Sequence, residues 1–169
     1  MNKLIIISLL FLFVINMKAQ EENGQTGRQA PNFQLINIDG DFIDLKSLLD
    51  DGPVLLSFWA TWCKPCIEEL KDFKKLYENY KDKGFKIAAI SIDDESSIAK
   101  VKPFVKSKGY PFIILLDTNS EAARKYYAQT VPYSVLVNKS GKIVFTHSGY
   151  MKGDELILKS EIDKIIKNN

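Results

Sequence analysis

Residues 54–67 read VLLSFWATWCKPCI, and their pattern decides the fold. Val54 to Trp59 is a nearly unbroken apolar run, as expected of a strand buried on both faces. From Thr61 to Lys81 the period changes. Ile67, Leu70, Phe73, Tyr77 and Tyr80 recur at three- and four-residue steps among Lys and Glu, which predicts an amphipathic helix. Gly84 stops it. The only two cysteines of the chain, Cys63 and Cys66, lie where the strand turns into the helix.

Outward from this unit the elements alternate. Phe85 to Ile92 predicts a second buried strand. Ser97 introduces a helix through about Lys108, disturbed by Pro103. Phe112 to Leu116 forms a third strand ending at Asp117, and Ser120 is placed to cap a helix running to Ala128. Tyr133 to Val137 and Lys142 to Thr146 are two more strands. Lys139-Ser140-Gly141 turns between them, so they pair antiparallel. A closing helix carries Leu158, Ile162, Ile165 and Ile166 on one face. Upstream, Phe33 to Ile36 and Phe42-Ile43 flank Asp39-Gly40, a hairpin signal, and Leu45 to Leu49 forms one helical turn. The order predicts an α/β domain over residues 30–169, a mixed sheet with helices on both faces and an N-terminal hairpin.

The 169 residues are 46% hydrophobic and 26% charged, which is one ordinary globular domain rather than a disordered chain. Two cysteines exclude a disulfide-rich miniprotein. The N-terminus reads as an address. Lys3 precedes the apolar run Leu4 to Ile15, and Ala19 supplies a small residue for signal peptidase. Residues 1–19 are expected to be a secretory signal peptide, and 20–29 a flexible polar leader. The run is short for a spanning helix, which needs about 20 apolar residues. If it is not cleaved, residues 4–15 are the membrane anchor. Cleavage removes two lysines and no acid, leaving a formal charge of zero. Nothing in that balance favours nucleic acid. The expected location is the periplasm or cell envelope, where disulfides persist.

Cys63 and Cys66 are one helical turn apart at the start of a helix. Unpaired N–H groups and the positive end of the helix dipole stabilise a thiolate there. Cys63, at the helix start, is expected to be exposed and nucleophilic. Cys66 is expected to be more covered and to resolve the mixed disulfide. Pro65 suits the first turn, where no backbone donor is needed. Two plainer readings compete. A structural disulfide across so small a loop restrains the unfolded chain by only about 2 kcal/mol. A zinc site needs two more ligands, and His147 is the only histidine.

Phe58-Trp59-Ala60-Thr61-Trp62-Cys63-Lys64-Pro65-Cys66 resembles the active-site strand, turn and helix of thioredoxins. It is more similar to the exported TlpA/ResA-type thiol–disulfide oxidoreductases. The resemblance covers about residues 30 to 167. Ala30-Pro31-Asn32-Phe33 resembles the start of that family's N-terminal hairpin, and Thr130-Val131-Pro132 its cis-proline loop. The resemblance implies a thioredoxin fold, with Cys63 as nucleophile and Cys66 as resolving thiol. It makes Lys64 and Pro65 the dipeptide that tunes the potential, and Pro132 a cis-proline beside the cysteines. The Val131 backbone is then offered to an incoming peptide, and Trp62 is a surface aromatic that contacts partners.

Glu69 stands where the family often has a glutamate. A half-buried carboxylate there could exchange a proton with Cys66; the alternative is a solvated glutamate like Glu68. Ordinary thioredoxins carry an aspartate on the preceding strand where this chain has Ser57, which adds interest to Glu69. Trp59 is read as core, His147 as a satisfied structural histidine, Lys71, Lys74 and Lys75 as a wet helix face, and Asp93-Asp94-Glu95 as a solvated loop rather than a cation site.

The expected activity is reduction of protein disulfides outside the cytoplasm, with no cofactor. The expected partners are protein substrates and an upstream electron donor, membrane-bound or soluble, and the protein is expected to be a monomer. A peroxiredoxin-like peroxidase is the nearest rival. Its Pro-x-x-x-Thr-x-x-Cys pattern fails here, because Thr61 is two positions before Cys63 and Ser57 stands in the proline's place. A copper-handling module of related fold is the other rival, and it prefers wider cysteine spacing and a histidine placed for metal.

Overall fold

The computed structural model describes residues 25–167. The expected signal peptide and residues 20–24 of the expected leader lie outside the described residues. Seven strands form one mixed sheet: β1 (Gln34–Asn37), β2 (Phe42–Asp44), β3 (Val54–Trp59), β4 (Lys86–Ser91), β5 (Ile113–Leu116), β6 (Tyr133–Val137) and β7 (Ile143–Ser148). Their order is β2-β1-β5-β4-β3-β6-β7. The three central strands β5, β4 and β3 are parallel, and the outer pairs are antiparallel. Among the described residues five α-helices cover it: α1 (Leu45–Leu49), α2 (Lys64–Glu78), α3 (Val101–Lys108), α4 (Glu121–Lys125) and α5 (Asp154–Lys167).

The alternation of β3 divides the core in two. Leu55 and Trp59 face one cluster, packed with Leu70 and Phe73 of α2, Val105 of α3 and Leu158 and Ile162 of α5. Val54, Leu56 and Phe58 face the other, packed with Leu45 and Leu48 of α1 and Ala122 and Ala123 of α4. Each fully buried Leu or Phe contributes roughly 2 kcal/mol of apolar burial. Ser57, with Leu55 and Trp59 on its face of the strand, is thereby turned toward α2.

Several boundaries differ from the pattern reading for local reasons. The helix expected from Thr61 to Lys81 begins at Lys64 and ends at Glu78. A short 3₁₀ turn, Lys81–Lys83, follows and closes on Gly84 at φ 79°, a conformation that glycine adopts without penalty. Pro103 does not disturb α3. It is the third residue of a helix that starts at Val101, so its missing N–H falls among the donors a first turn leaves unpaired. Ser120 does not cap α4 with its side chain; it adopts a left-handed φ of 54°. The cap is the buried Asp117, whose carboxylate accepts from the N–H groups of Ala122 (3.1 Å) and Ala123 (2.8 Å). Residues 25–29 of the expected leader are among the described residues. Gly27 N–H donates to Ile143 O, and Ile143 N–H donates to Arg28 O. Gln25 donates through Nε2 to Tyr126 O and Tyr133 Oη. The backbone of these polar residues pairs with the start of β7.

Candidate active site

Cys63 and Cys66 form a disulfide, with Cα atoms 5.3 Å apart. β3 delivers the loop that carries them. Cys63 N–H donates to Ala60 O (3.1 Å), and Cys63 is the N-cap of α2, its Sγ accepting from Cys66 N–H at 3.2 Å. The positive end of α2 therefore points at the first sulfur. Lys64 and Pro65 are the first two helical residues and are exposed. Trp62 is 63% exposed beside the pair.

Cys63 was expected to be exposed and is instead only 5% exposed, with Cys66 at 0%. The side chain of Cys63 folds back over the first turn of α2 and is bonded to the deeper sulfur, which turns it away from solvent.

Glu69 is buried at 2% exposure, so it is not a solvated helix residue like Glu68. It accepts from Ser57 Oγ at Oε2 and from Ser134 Oγ at Oε1, both at 3.3 Å. Burial pushes its carboxyl up to about 8, against the pull of the hydrogen bonds from Ser134 and Ser57; the charge of Asp154 adds to the rise. Glu69 lies one helical turn after Cys66 on the same helix.

Pro132 and Val131 sit at the same end of the sheet as the cysteine loop. Phe58 and Tyr133 are register partners, so Pro132 falls beyond the last pair, level with Trp59. The Val131–Pro132 peptide is cis. Pro132 is buried and Val131 half-buried.

Two features escaped the pattern reading. Asp93 is fully buried rather than part of a solvated loop. Its carboxylate accepts from Thr61 N–H (2.9 Å), Thr61 Oγ1 (2.6 Å) and Ser91 Oγ (2.7 Å). It thus ties the end of β4 to the residue before Trp62. An acid at the C-terminal end of the strand next to β3 was the available signal. Asp72 is the second. Lys152 Nζ (2.6 Å), Tyr150 Oη and Lys75 Nζ (3.0 Å) all donate to it. Burial alone would raise its carboxyl, but these donors hold it well below the usual carboxylate range. This pins the loop after β7 onto α2 beside Glu69. His147, stacked on Phe145, is paired with Asp154 through Nε2 at 3.0 Å. Trp59 is fully buried, and its Nε1–H has no hydrogen-bond partner among the described residues. No cluster of metal-ligating side chains occurs among the described residues.

A family model described as the AhpC/TSA family matches residues 26–146, most of the described domain. The chain belongs to the AhpC/TSA family. Its fold is thioredoxin-like. The thiol-disulfide oxidoreductase ResA of Bacillus cereus is 38% identical over 138 residues, covering 82% of this chain and 78% of that protein. ResA of Bacillus subtilis is 38% identical over 133 residues, covering 79% and 73%. Among solved structures, the thioredoxin domain of a thiol-disulfide oxidoreductase from Bacteroides vulgatus superposes with a TM-score of 0.70 at 26% identity, covering 83% of this chain and 97% of that one. In this AhpC/TSA member the cysteine pair and Glu69 lie on the first turns of α2, and Asp93 holds the loop that leads into it through Thr61.

Proposed function

We propose that this chain is an exported protein thiol–disulfide oxidoreductase that reduces client disulfides through Cys63 and Cys66. The observation that carries the reading is the closed Cys63–Cys66 disulfide across the first turn of α2, one helical turn from the buried carboxyl of Glu69. The ResA relatives support the same chemistry.

In the reduced protein Cys63 is the thiolate, held by the helix dipole and by the Cys66 N–H that points at its sulfur. It attacks a client disulfide, and the first client thiolate leaves with a proton from solvent. Cys66 then gives its proton to Glu69 in its ionised form, the minority form near neutrality because burial favours the protonated carboxyl, and attacks Cys63 Sγ. The Cys63–Cys66 bond forms, the mixed disulfide breaks and the second client thiolate departs. Two electrons pass from the dithiol to the client, and no cofactor takes part. An upstream dithiol donor, membrane-bound or soluble, restores the pair by the reverse steps. Lys64 and Pro65 set the potential. Trp62, Val131 and Pro132 contact the client, the Val131 backbone by strand-like hydrogen bonds. Residues 1–19 direct export to the periplasm or envelope and residues 30–169 act as a monomer.

Equilibration of the pair with glutathione tests the direction. A potential well below that of glutathione is the expected result, and a strongly oxidising one reverses the assignment. Insulin reduction should vanish in Cys63→Ser, and Cys66→Ser should trap clients on Cys63. Turnover of peroxide with no disulfide reductase activity would instead favour the peroxidase rival.

A further inference from the structure

Glu69 has almost no contact with solvent, so a proton it accepts needs a way out. One row of the sheet leads to the surface. Ser57, Ser134 and His147 are successive register partners on β3, β6 and β7, so their side chains share one face. The two serines donate to Glu69. The His147 side chain, next in the row, is 30% exposed and bonded through Nε2 to Asp154 Oδ2. That bond leaves Nδ1 as the acceptor of a neutral ring.

A cavity of about 10 Å³ lies between them, with Glu69, Ser134, His147, Tyr150 and Asp154 among its lining residues. That is close to the least room a single water needs, and polar groups surround it. The ionisable groups lining it are Glu69 from α2, His147 from β7, Tyr150 from the following loop, and Asp154 and Glu155 from α5; behind Tyr150, Asp72 accepts from both Tyr150 Oη and Lys152 Nζ. Asp72 and Asp154 are held as carboxylates, and Tyr150 and Lys152 are pushed to keep their protons. Histidine is the side chain suited to take and release a proton near neutrality.

We propose that His147 is the proton exit of Glu69, reached through one water in this cavity. The inference rests on the reading of Glu69 as the base for Cys66. In each cycle the Glu69 carboxyl, protonated by Cys66, gives one proton through the water to the imidazole. The imidazolium, stabilised by Asp154, passes it to solvent. Glu69 is again a carboxylate, His147 is again neutral and no electron moves. His147 acts through Glu69 and touches neither sulfur.

The test loads Cys63 of the reduced protein with thionitrobenzoate. In weakly buffered solution across neutral pH it follows both thionitrobenzoate release by Cys66 and arrival of the proton at a pH-indicator dye. His147→Gln, which keeps a donor for Asp154, and His147→Val are compared with the parent and with Glu69→Gln. In the parent the proton should appear together with thionitrobenzoate. In both His147 variants release should be parent-like while the proton lags by about tenfold, a fraction of what general acid–base catalysis supplies, and a little added imidazole should close the lag. Glu69→Gln should slow release itself, with no recovery. No lag in the His147 variants beside a slow Glu69→Gln overturns the exit and leaves the Glu69 base standing. A lag that imidazole does not close also overturns it, because a merely structural loss behaves that way. Parent-like release in Glu69→Gln overturns both.

Discussion

Ser57 and Ser134 lie directly opposite each other on β3 and β6, and each donates a hydrogen bond to a different oxygen of the same buried carboxyl, Glu69. Two neutral hydroxyls solvate this acid, and no cation among the described residues is paired with it. Burial therefore outweighs the hydrogen bonds, and the carboxyl holds its proton up to about 8.

That shift makes stability depend on pH. The folded carboxyl binds its proton more tightly than the unfolded one, so its contribution is fully present below the ordinary value of 4.5 and is lost as pH rises through about 8. Glu69→Gln should remove this loss. In the oxidised protein at about pH 9 the variant should be more stable than the parent, on the order of 4 kcal/mol by linkage. Urea unfolding at acidic and alkaline pH checks it, and equal pH profiles for the two proteins would refute the shift.

Removing the hydroxyls should act in the opposite sense to solvating the carboxylate. Ser57→Ala and Ser134→Ala each delete a donor that lowers the Glu69 pKa, so each should move its titration higher. Infrared spectroscopy of the protonated carboxyl C=O band, followed against pH, reads the shift directly. A downward shift in either variant contradicts the role assigned to the hydroxyls.

Asp93 anchors the cysteine loop through both the N–H and the hydroxyl of Thr61. Asp93→Ala leaves these donors and Ser91 without their acceptor. It should cost about 2–3 kcal/mol, the usual size of a lost buried charged hydrogen-bond partner, and should make the Cys63–Cys66 disulfide more readily alkylated after mild reduction. Chemical denaturation and alkylation rates measure the two effects.

The cap at α4 gives a separate check away from the sulfurs. Asp117→Ala deletes the acceptor for two helix N–H groups and should cost about 1–2 kcal/mol. Ser120→Ala should cost much less, because the Ser120 side chain caps nothing. Thermal unfolding of the two variants decides between them.

The strand–helix unit around the cysteines was legible because its periods change from a buried run to a 3.6-residue repeat within a few residues. The α/β architecture, the late antiparallel pair and the core position of Trp59 followed from the same patterns. What the pattern did not reveal depends on side chains meeting from distant segments. Ser57 and Glu69 are 12 positions apart, and Ser134 is 65 from Glu69; nothing local to Glu69 separates it from Glu68. Asp93 stands beside Asp94 and Glu95, and a run of acids reads as solvated until the neighbouring strand brings Thr61 to it. Asp117 displaced Ser120 as cap because a carboxylate accepts from two N–H groups at once. Gln25–Gln29 looked like a tail because polarity reports solvent contact of side chains and is silent on backbone pairing.

That last pairing has a consequence for assembly. An open sheet invites strand addition along its flanks. Here one flank is the three-residue β2, and on the other the chain's own residues 27–29 occupy both the N–H and the C=O of Ile143. A foreign strand seeking to zip onto β7 meets a stopper at its first rung, so self-association by edge docking is discouraged there, at the pole of the sheet opposite the two sulfurs.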